Sequence, residues 1–335
     1  MLFTLFTSFG PIARTCLKTI STKNAKDYDE DLSGYIGEID KEIVTYIKAD
    51  GFQAIDNTVD QSASHRIMIM VPTDDRQSYE PEILTRWIAL RVFEQAQKKS
   101  KLRCYELYQQ LSGQGRLRSA AGWFFELYAH EWLNNGGLFN AEKPRVDGMH
   151  SSTLRFKTST SKAFNHFKDA KDLLTKVVVT NGRTSSISKE VIGRYFLPRA
   201  ANFESVDGLV FSSLHSLIVF QITIARSHEV KLHGLKQLCE ALPATIKNMD
   251  IVFVIPEDLI SEYSKVQKVP SPIAVRPKVK GFTLNQFRLV LREDQIVSMA
   301  LDGPFHRQAG GAGGGGKQVI HNDHNGEDTA IGGTE

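Results

Sequence analysis

YFLPRAANFESVDGLVFSSLHSLIVFQITIARSHEVK, residues 195–231, is the stretch on which the fold turns. Two runs rich in Val, Ile, Leu and Phe, 206–212 and 216–225, flank a polar break at Ser212, Ser213, His215 and Ser216. Such runs suit the strands of a covered sheet, and the break can turn the chain between them. With the turn centred near Leu214, Asp207 lies directly opposite Gln221. Side chains two apart share a strand face, so Gln221 and Thr223 point the same way. A carboxylate buried without a partner is costly, so Asp207 demands a metal, a hydrogen-bond network or solvent nearby.

Upstream, Ala120, Trp123, Phe124, Leu127, Tyr128 and Trp132 recur at helical spacing and predict a buried helix over 119–133. Glu126 sits at the edge of its apolar face, Trp123 and Trp132 read as packing residues, and Asn134-Asn135-Gly136-Gly137 supplies a left-handed stop. Further out, the patterns predict a helix around 36–47 ended by Gly51, a strand at 65–72, a helix opening at Pro81, and a short helix over 102–111. Short strands are expected at 153–157, 176–180 and 193–197. Past the central pair come a helix over 232–241 stopped by Pro243, a strand at 250–256 and a short helix at 257–263. The proline- and lysine-rich stretch 265–281 reads as irregular, and 287–291 with 295–301 reads as a closing strand hairpin.

The chain has 335 residues, 41% of them hydrophobic and 24% charged, enough for a sizeable core. No apolar run approaches the roughly 20 residues of a membrane helix, so no membrane is expected. The net charge is only +3, but between Lys143 and Arg199 twelve Lys or Arg face four Asp or Glu. Such a local excess favours nucleic acid, DNA first, although a solvated lysine-rich face has the same composition. Cys16, Cys104 and Cys239 follow no metal-ligand spacing, which points to a reducing, intracellular setting, the nucleus included. Residues 1–26 are acid-free and weakly like a transit peptide, without a convincing secretion or organelle signal. The run AGGAGGGG and the residues after it read as a disordered tail.

Helix with Glu126, strand with Asp207, strand with Gln221-x-Thr223, then helix: this order resembles the PD-(D/E)XK nuclease-like fold. Specifically, AAGWFFELYAHEWL (120–133), YFLPRAANFESVDGLVF (195–211) and FQITIARSHEVKLHGL (220–235) look like the C-terminal domain of Crinkler and retrotransposon-hot-spot-type proteins. The resemblance implies an α/β fold with a mixed central sheet flanked by helices, in a domain over 81–305. Residues 1–80 would then be an N-terminal region, a remnant of the NTPase that usually precedes this domain, and 306–335 the Gly-rich tail. The implied function is Mg²⁺-dependent hydrolysis of nucleic acid phosphodiesters, of the effector or toxin type. Asp207 takes the place of the principal metal ligand, Glu126 that of the helix-borne carboxylate, and Gln221 that of the second acid, with only a neutral carbonyl oxygen to offer. Thr223 stands where the family has its catalytic Lys. Lys231 could project a replacement ammonium, and His228 could act as a base or phosphate contact. Tyr195, read first as core, and Arg199 are candidates for substrate contact.

Two plainer readings stay open. Asp207 could cap a turn or pair with an Arg, Glu126 could be a solvated helix residue, and Gln221 could satisfy neighbouring backbone. With Gln and Thr in place of an acid and Lys, the domain could also bind DNA or a protein partner without cleaving. No G-x-x-x-x-G-K-[S/T], H-E-x-x-H or G-x-S-x-G stretch occurs, so P-loop, zincin and hydrolase-elbow chemistries have no footing.

Overall fold

The structure, a computed structural model, describes residues 5, 8–10, 20, 25–48, 65–113, 115–144, 152–181, 184–199 and 205–302. Most of the stretch expected to be an irregular start, the Gly51 helix stop and the Gly-rich tail lie outside the described residues.

Helix α1 (Ala25–Lys48) buries Ile39, Ile43 and Ile47, one residue per turn. Strands β1 (Met68–Pro72) and β2 (Tyr79–Ile83) form an antiparallel ribbon. Pro81, expected to open a helix, instead sits in β2 opposite Met70. A two-stranded ribbon has an unpaired outer edge, where the missing proline N–H is not needed. Helix α2 (Arg86–Lys99) opens five residues later, where the Thr85 hydroxyl accepts from the Ile88 N–H at 3.2 Å. Helix α3 (Lys101–Ser112) is capped the same way by Ser100. Helix α4 (Arg118–Asn134) is the one predicted around Glu126.

Strands β3 (Gly137–Glu142), β4 (Thr153–Thr158) and β5 (Asn165–Phe167) follow. Residues expected to be a strand at 176–180 divide between helix α5 (Ala170–Val177) and strand β6 (Val178–Asn181), which pairs with β7 (Thr184–Ile187). Asp169 caps α5 by accepting from the Asp172 N–H, a start signal that outweighs the strand-like valines behind it. Then come β8 (Tyr195–Pro198), β9 (Gly208–Phe211), β10 (Ser216–Ile222), helix α6 (Leu232–Ala241) and β11 (Asn248–Pro256). Two 3₁₀ turns, Glu257–Leu259 and Glu262–Ser264, replace the helix expected at 257–263. Helix α7 (Pro272–Val275) and strand β12 (Thr283–Leu291) precede helix α8 (Glu293–Asp302). The last corrects the expected closing hairpin: Glu293 and Asp294 open a helix, where acids complement the dipole, and Ile296 is buried.

Eight strands make one mixed sheet in the order β4-β3-β12-β11-β10-β9-β8-β5. Its centre, β10, β11 and β12, is parallel, while β9 is antiparallel to β10 and to β8. Alternation along the strands feeds two cores. Phe220, Ile222, Val210 and Tyr195 face one core with α2, α3 and α4, and α1 shares it. Leu209, Phe211, Leu217 and Val219 face the other with α5 and α6. The protein is thus a mixed α/β fold with a helix-flanked sheet, and no described helix is long and apolar enough to cross a membrane.

Candidate active site

The site forms where the β9–β10 ladder ends. Val210 pairs with Ile218 and Gly208 with Phe220, the register that places Asp207 across from Gln221. Beyond Gly208 the ladder breaks step. The Asp207 N–H donates to the Phe220 carbonyl at 3.0 Å, one residue out of register. The Ile222 N–H, which the next rung would have paired, donates to Asp207 Oδ2 at 2.6 Å, and Gln221 Nε2 donates to the same oxygen at 2.7 Å. A side-chain carboxylate therefore stands in for a backbone acceptor at the end of a strand, as local disruptions of a ladder often allow near functional sites.

Helix α4 lies over this end. Gly122 of this helix lies over Ile224, just past the end of β10, where an added methyl would make an ordinary van der Waals contact with Cγ1 at 3.4 Å. Glu126 and His130, four residues apart, share the face that looks at the sheet. Glu126 Oε1 accepts from Arg86 Nη2, at the first turn of α2, and His130 Nε2 lies 3.4 Å away. His130 Nδ1 is 2.7 Å from the Tyr195 hydroxyl. Tyr195 explains Gly208, since a Cβ there would fall 2.1 Å from the phenol oxygen.

The electrostatics follow from this crowding. Burial, and then the Glu126 charge, push the Asp207 carboxyl up to about 8, against the opposing pull of the Ile222 N–H and Arg86. Burial also opposes ionisation of Glu126, but the His130 hydrogen bond and the Arg86 charge outweigh it, so Glu126 is held below the usual carboxylate range. The Tyr195 phenol is raised by burial and by both carboxylates. Like charges brought together in a poorly solvated place drive the two acids apart in just this way. Gln221 is only 5% exposed, and its Oε1 is buried without a hydrogen-bond partner.

Of the six residues given catalytic or metal-binding places from sequence, Glu126, Asp207 and Gln221 converge, joined by Tyr195 of the two substrate-contact candidates. The other three do not. Thr223 sits past the end of β10, its N–H donates to Val254 and its hydroxyl accepts from the Ala225 N–H beside Tyr263. His228, half-buried, has its imidazole pushed down by burial and by neighbouring Lys231. Lys231 stands at the N-cap position of α6 without a side-chain cap bond, its N–H donates to the Ser205 hydroxyl, and neither Lys231 nor His228 is among the groups that move Asp207. Sequence reasoning missed Arg86 and His130. The Glu126-x-x-x-His130 spacing on one helix face was a usable signal for the second; nothing local marks Arg86, which arrives through tertiary packing.

Among the described residues no three His, Cys, Asp or Glu side chains gather as a metal-ligand group. What the site offers a hard cation is two carboxylates plus the orphaned Gln221 Oε1. That oxygen-only donor set fits Mg²⁺, which takes one or two carboxylates and fills its remaining positions with water and phosphate. Compared with known proteins, the chain matches no family model, no curated protein and no solved structure.

Proposed function

We propose that this protein is a divergent PD-(D/E)XK-like, Crinkler-type nuclease that hydrolyses nucleic acid phosphodiesters with Mg²⁺ at Asp207, Glu126 and Gln221. The observation that carries the reading is the pairing of two carboxylates from distant parts of the chain beside a buried oxygen with no partner. Arg86 and His130 offset the Glu126 charge, but Asp207 is still pushed up and Gln221 Oε1 still unpaired, and a divalent cation would relieve both. Bound there, the cation would polarise a phosphoryl oxygen and lower the pKa of an attacking water.

The chain's own groups have separable parts. Glu126 stays ionised because Arg86 and His130 hold it so. Asp207 must give up its proton to become a ligand, and the Ile222 and Gln221 donors on Oδ2 keep its carboxylate oriented meanwhile. Arg86 replaces the family's Lys as the nearby positive charge, because its guanidinium has further N–H donors beyond the one on Glu126. In this reading neither Thr223, Lys231 nor His228 acts on the phosphate.

Single-turnover cleavage of labelled DNA and RNA, with Mg²⁺ or with chelator, tests this. Wild type should cleave only with metal, Asp207→Ala should abolish cleavage, and Arg86→Ala should cost about a hundredfold. Calorimetry in two buffers of different ionisation enthalpy should show proton release on Mg²⁺ binding at pH 7, absent in Asp207→Asn. If neither nucleic acid is cut and no proton is released, the Arg86–Glu126 pair already supplies the only cation the site takes. The domain is then a degenerate binding module.

A further inference from the structure

A polar cleft of about 430 Å³ opens at the far end of α4, lined by Ser159, Thr160, Ser161, Asn165, Glu190 and Arg194. Its walls are tied to the candidate active site. Asn134, two helical turns on from Glu126, donates from Nδ2 to the Ser161 carbonyl at 3.0 Å. Asn165 donates from Nδ2 to the carbonyl of Tyr195, whose hydroxyl meets His130. The backbone is pinned as well. Gly136, at φ +81°, has no room for a Cβ, which would lie 2.6 Å from the Thr160 nitrogen. The Ser159 N–H donates to the Gly193 carbonyl at 2.8 Å.

The hydrogen-bonding inventory decides what fits. The Thr160 hydroxyl donates to the Asn135 carbonyl and the Ser161 hydroxyl to the Ala163 carbonyl, so each has spent its proton and keeps lone pairs to accept with. Glu190 can only accept when ionised. Arg194 is exposed and, among the described residues, has no ion-pair or side-chain hydrogen-bond partner. Glu190, Thr160 and Ser161 thus present acceptors around one unpaired guanidinium, with the Ser159 hydroxyl and the second Asn165 Nδ2 proton as the remaining side-chain donors. A bare phosphate would find donors at Arg194 and Ser159 but meet Glu190 as a like charge and leave the Thr160 and Ser161 lone pairs unused. A sugar carrying hydroxyl protons, joined to a phosphate, satisfies both sides.

We propose that this cleft holds one ribose–phosphate unit of an RNA strand, with Arg194 on the phosphate and Glu190, Thr160 and Ser161 accepting from ribose hydroxyls. The 2′-hydroxyl is the donor that DNA lacks, so the cleft turns the expected preference from DNA to RNA. The eight residues from Glu126 to Asn134 span roughly 12 Å of helix, or three to four stacked nucleotides at about 3.4 Å each. One strand can thus occupy the cleft and reach Asp207. Exposed Lys157, Lys162 and Lys189 beside the lining residues in sequence supply the surrounding positive field.

The inference rests on the phosphodiester reading for its geometry, but its test does not. Binding of labelled single-stranded RNA and DNA of one sequence is measured by anisotropy on the full chain in chelator, where no cleavage occurs. Wild type should bind RNA about tenfold tighter, the worth of one good charge-assisted hydrogen bond. Arg194→Ala should weaken both strands about tenfold, whereas Lys171→Ala, an exposed lysine on α5, should change neither comparably. Glu190→Ala should remove the RNA preference by weakening RNA alone. Equal affinity of wild type for RNA and DNA, or Arg194→Ala behaving like Lys171→Ala, overturns the proposal. So does 5′-AMP displacing RNA as effectively as unlabelled RNA does, which would make the cleft a free-nucleotide site. Loss of Mg²⁺-dependent cleavage with this binding intact would count against the proposed nuclease alone.

Discussion

At Asp207 one oxygen closes the last rung of a ladder while the carboxyl as a whole is crowded by burial and by Glu126. The sign of the resulting pH dependence is fixed. An unfolded aspartate titrates near 3.9, and folding moves Asp207 up to about 8. Between those values the folded protein holds a proton that the unfolded chain has lost, so stability falls as pH rises through the window. Glu126 is depressed and adds the opposite slope, but only in acid, below its unfolded value of roughly 4.3. Asp207→Asn keeps an oxygen for the Gln221 and Ile222 donors and removes the titration. Thermal melts at pH 5, 7 and 9 should show wild type losing stability across the range and the Asn variant losing clearly less. Parallel curves would mean that Asp207 ionises normally and that Glu126 does not burden it. Gly208→Ala tests the other side of the same rung. Its methyl group must displace the Tyr195 phenol or the strand, at a cost of about 1–3 kcal/mol as overpacking usually has, readable from denaturant midpoints.

Elements show why the central strands were legible and the site only half so. Opposition of Asp207 and Gln221 depends on one turn between two adjacent apolar runs, which is local information. The polar break from Ser212 to Ser216 carried it, and the observed register agrees. The same is true of α4, whose apolar face and Asn-Asn-Gly-Gly stop are continuous in sequence. Two errors came where an acidic or capping residue redefined an apolar stretch: Asp169 ahead of α5, Glu293 and Asp294 ahead of α8. The irregular stretch 265–281 was read correctly apart from four-residue α7, yet its anchor was invisible. Arg276, only 6% exposed, donates to the carbonyls of Ile246, Leu242 and Pro243 at 2.7–2.8 Å, satisfying acceptors at the end of α6. A cation is also favoured at a helix C-terminus. Arg276→Met should cost about 3 kcal/mol by leaving several carbonyls unpaired. Arg276→Lys should recover only part of this, since an ammonium lacks the planar fork. Urea unfolding of the three proteins decides it, and a Met variant as stable as wild type would mean that water reaches those carbonyls freely.

At the scale of the whole molecule, the sheet separates two cores and leaves the candidate groups along one line, from the β9–β10 ladder end, under α4, to the cleft beside β5. Of the basic stretch from Lys143 to Arg199, Arg194 lines the cleft and exposed Lys157, Lys162 and Lys189 stand within two residues of its lining in sequence, at that end of the line. The acidic pair lies at the other. Such a division has a physical use: cations gather and orient a polyanion over an area, while carboxylates, which repel it, stay confined to the point where a metal would stand. Affinity and chemistry should then respond to different changes. With chelator present, log affinity for single-stranded RNA should fall linearly with log salt, by roughly 0.7 per phosphate neutralised. Arg194→Ala should reduce the steepness by about one such step. Asp207→Asn should leave the slope untouched, and Lys268→Ala should too, because Lys268 is already paired with Glu229 on a different loop. A wild-type slope near zero would remove the basic face from the account. A slope that changes as much with Lys268 as with Arg194 would show the attraction to be spread over the surface, with no line leading to Asp207.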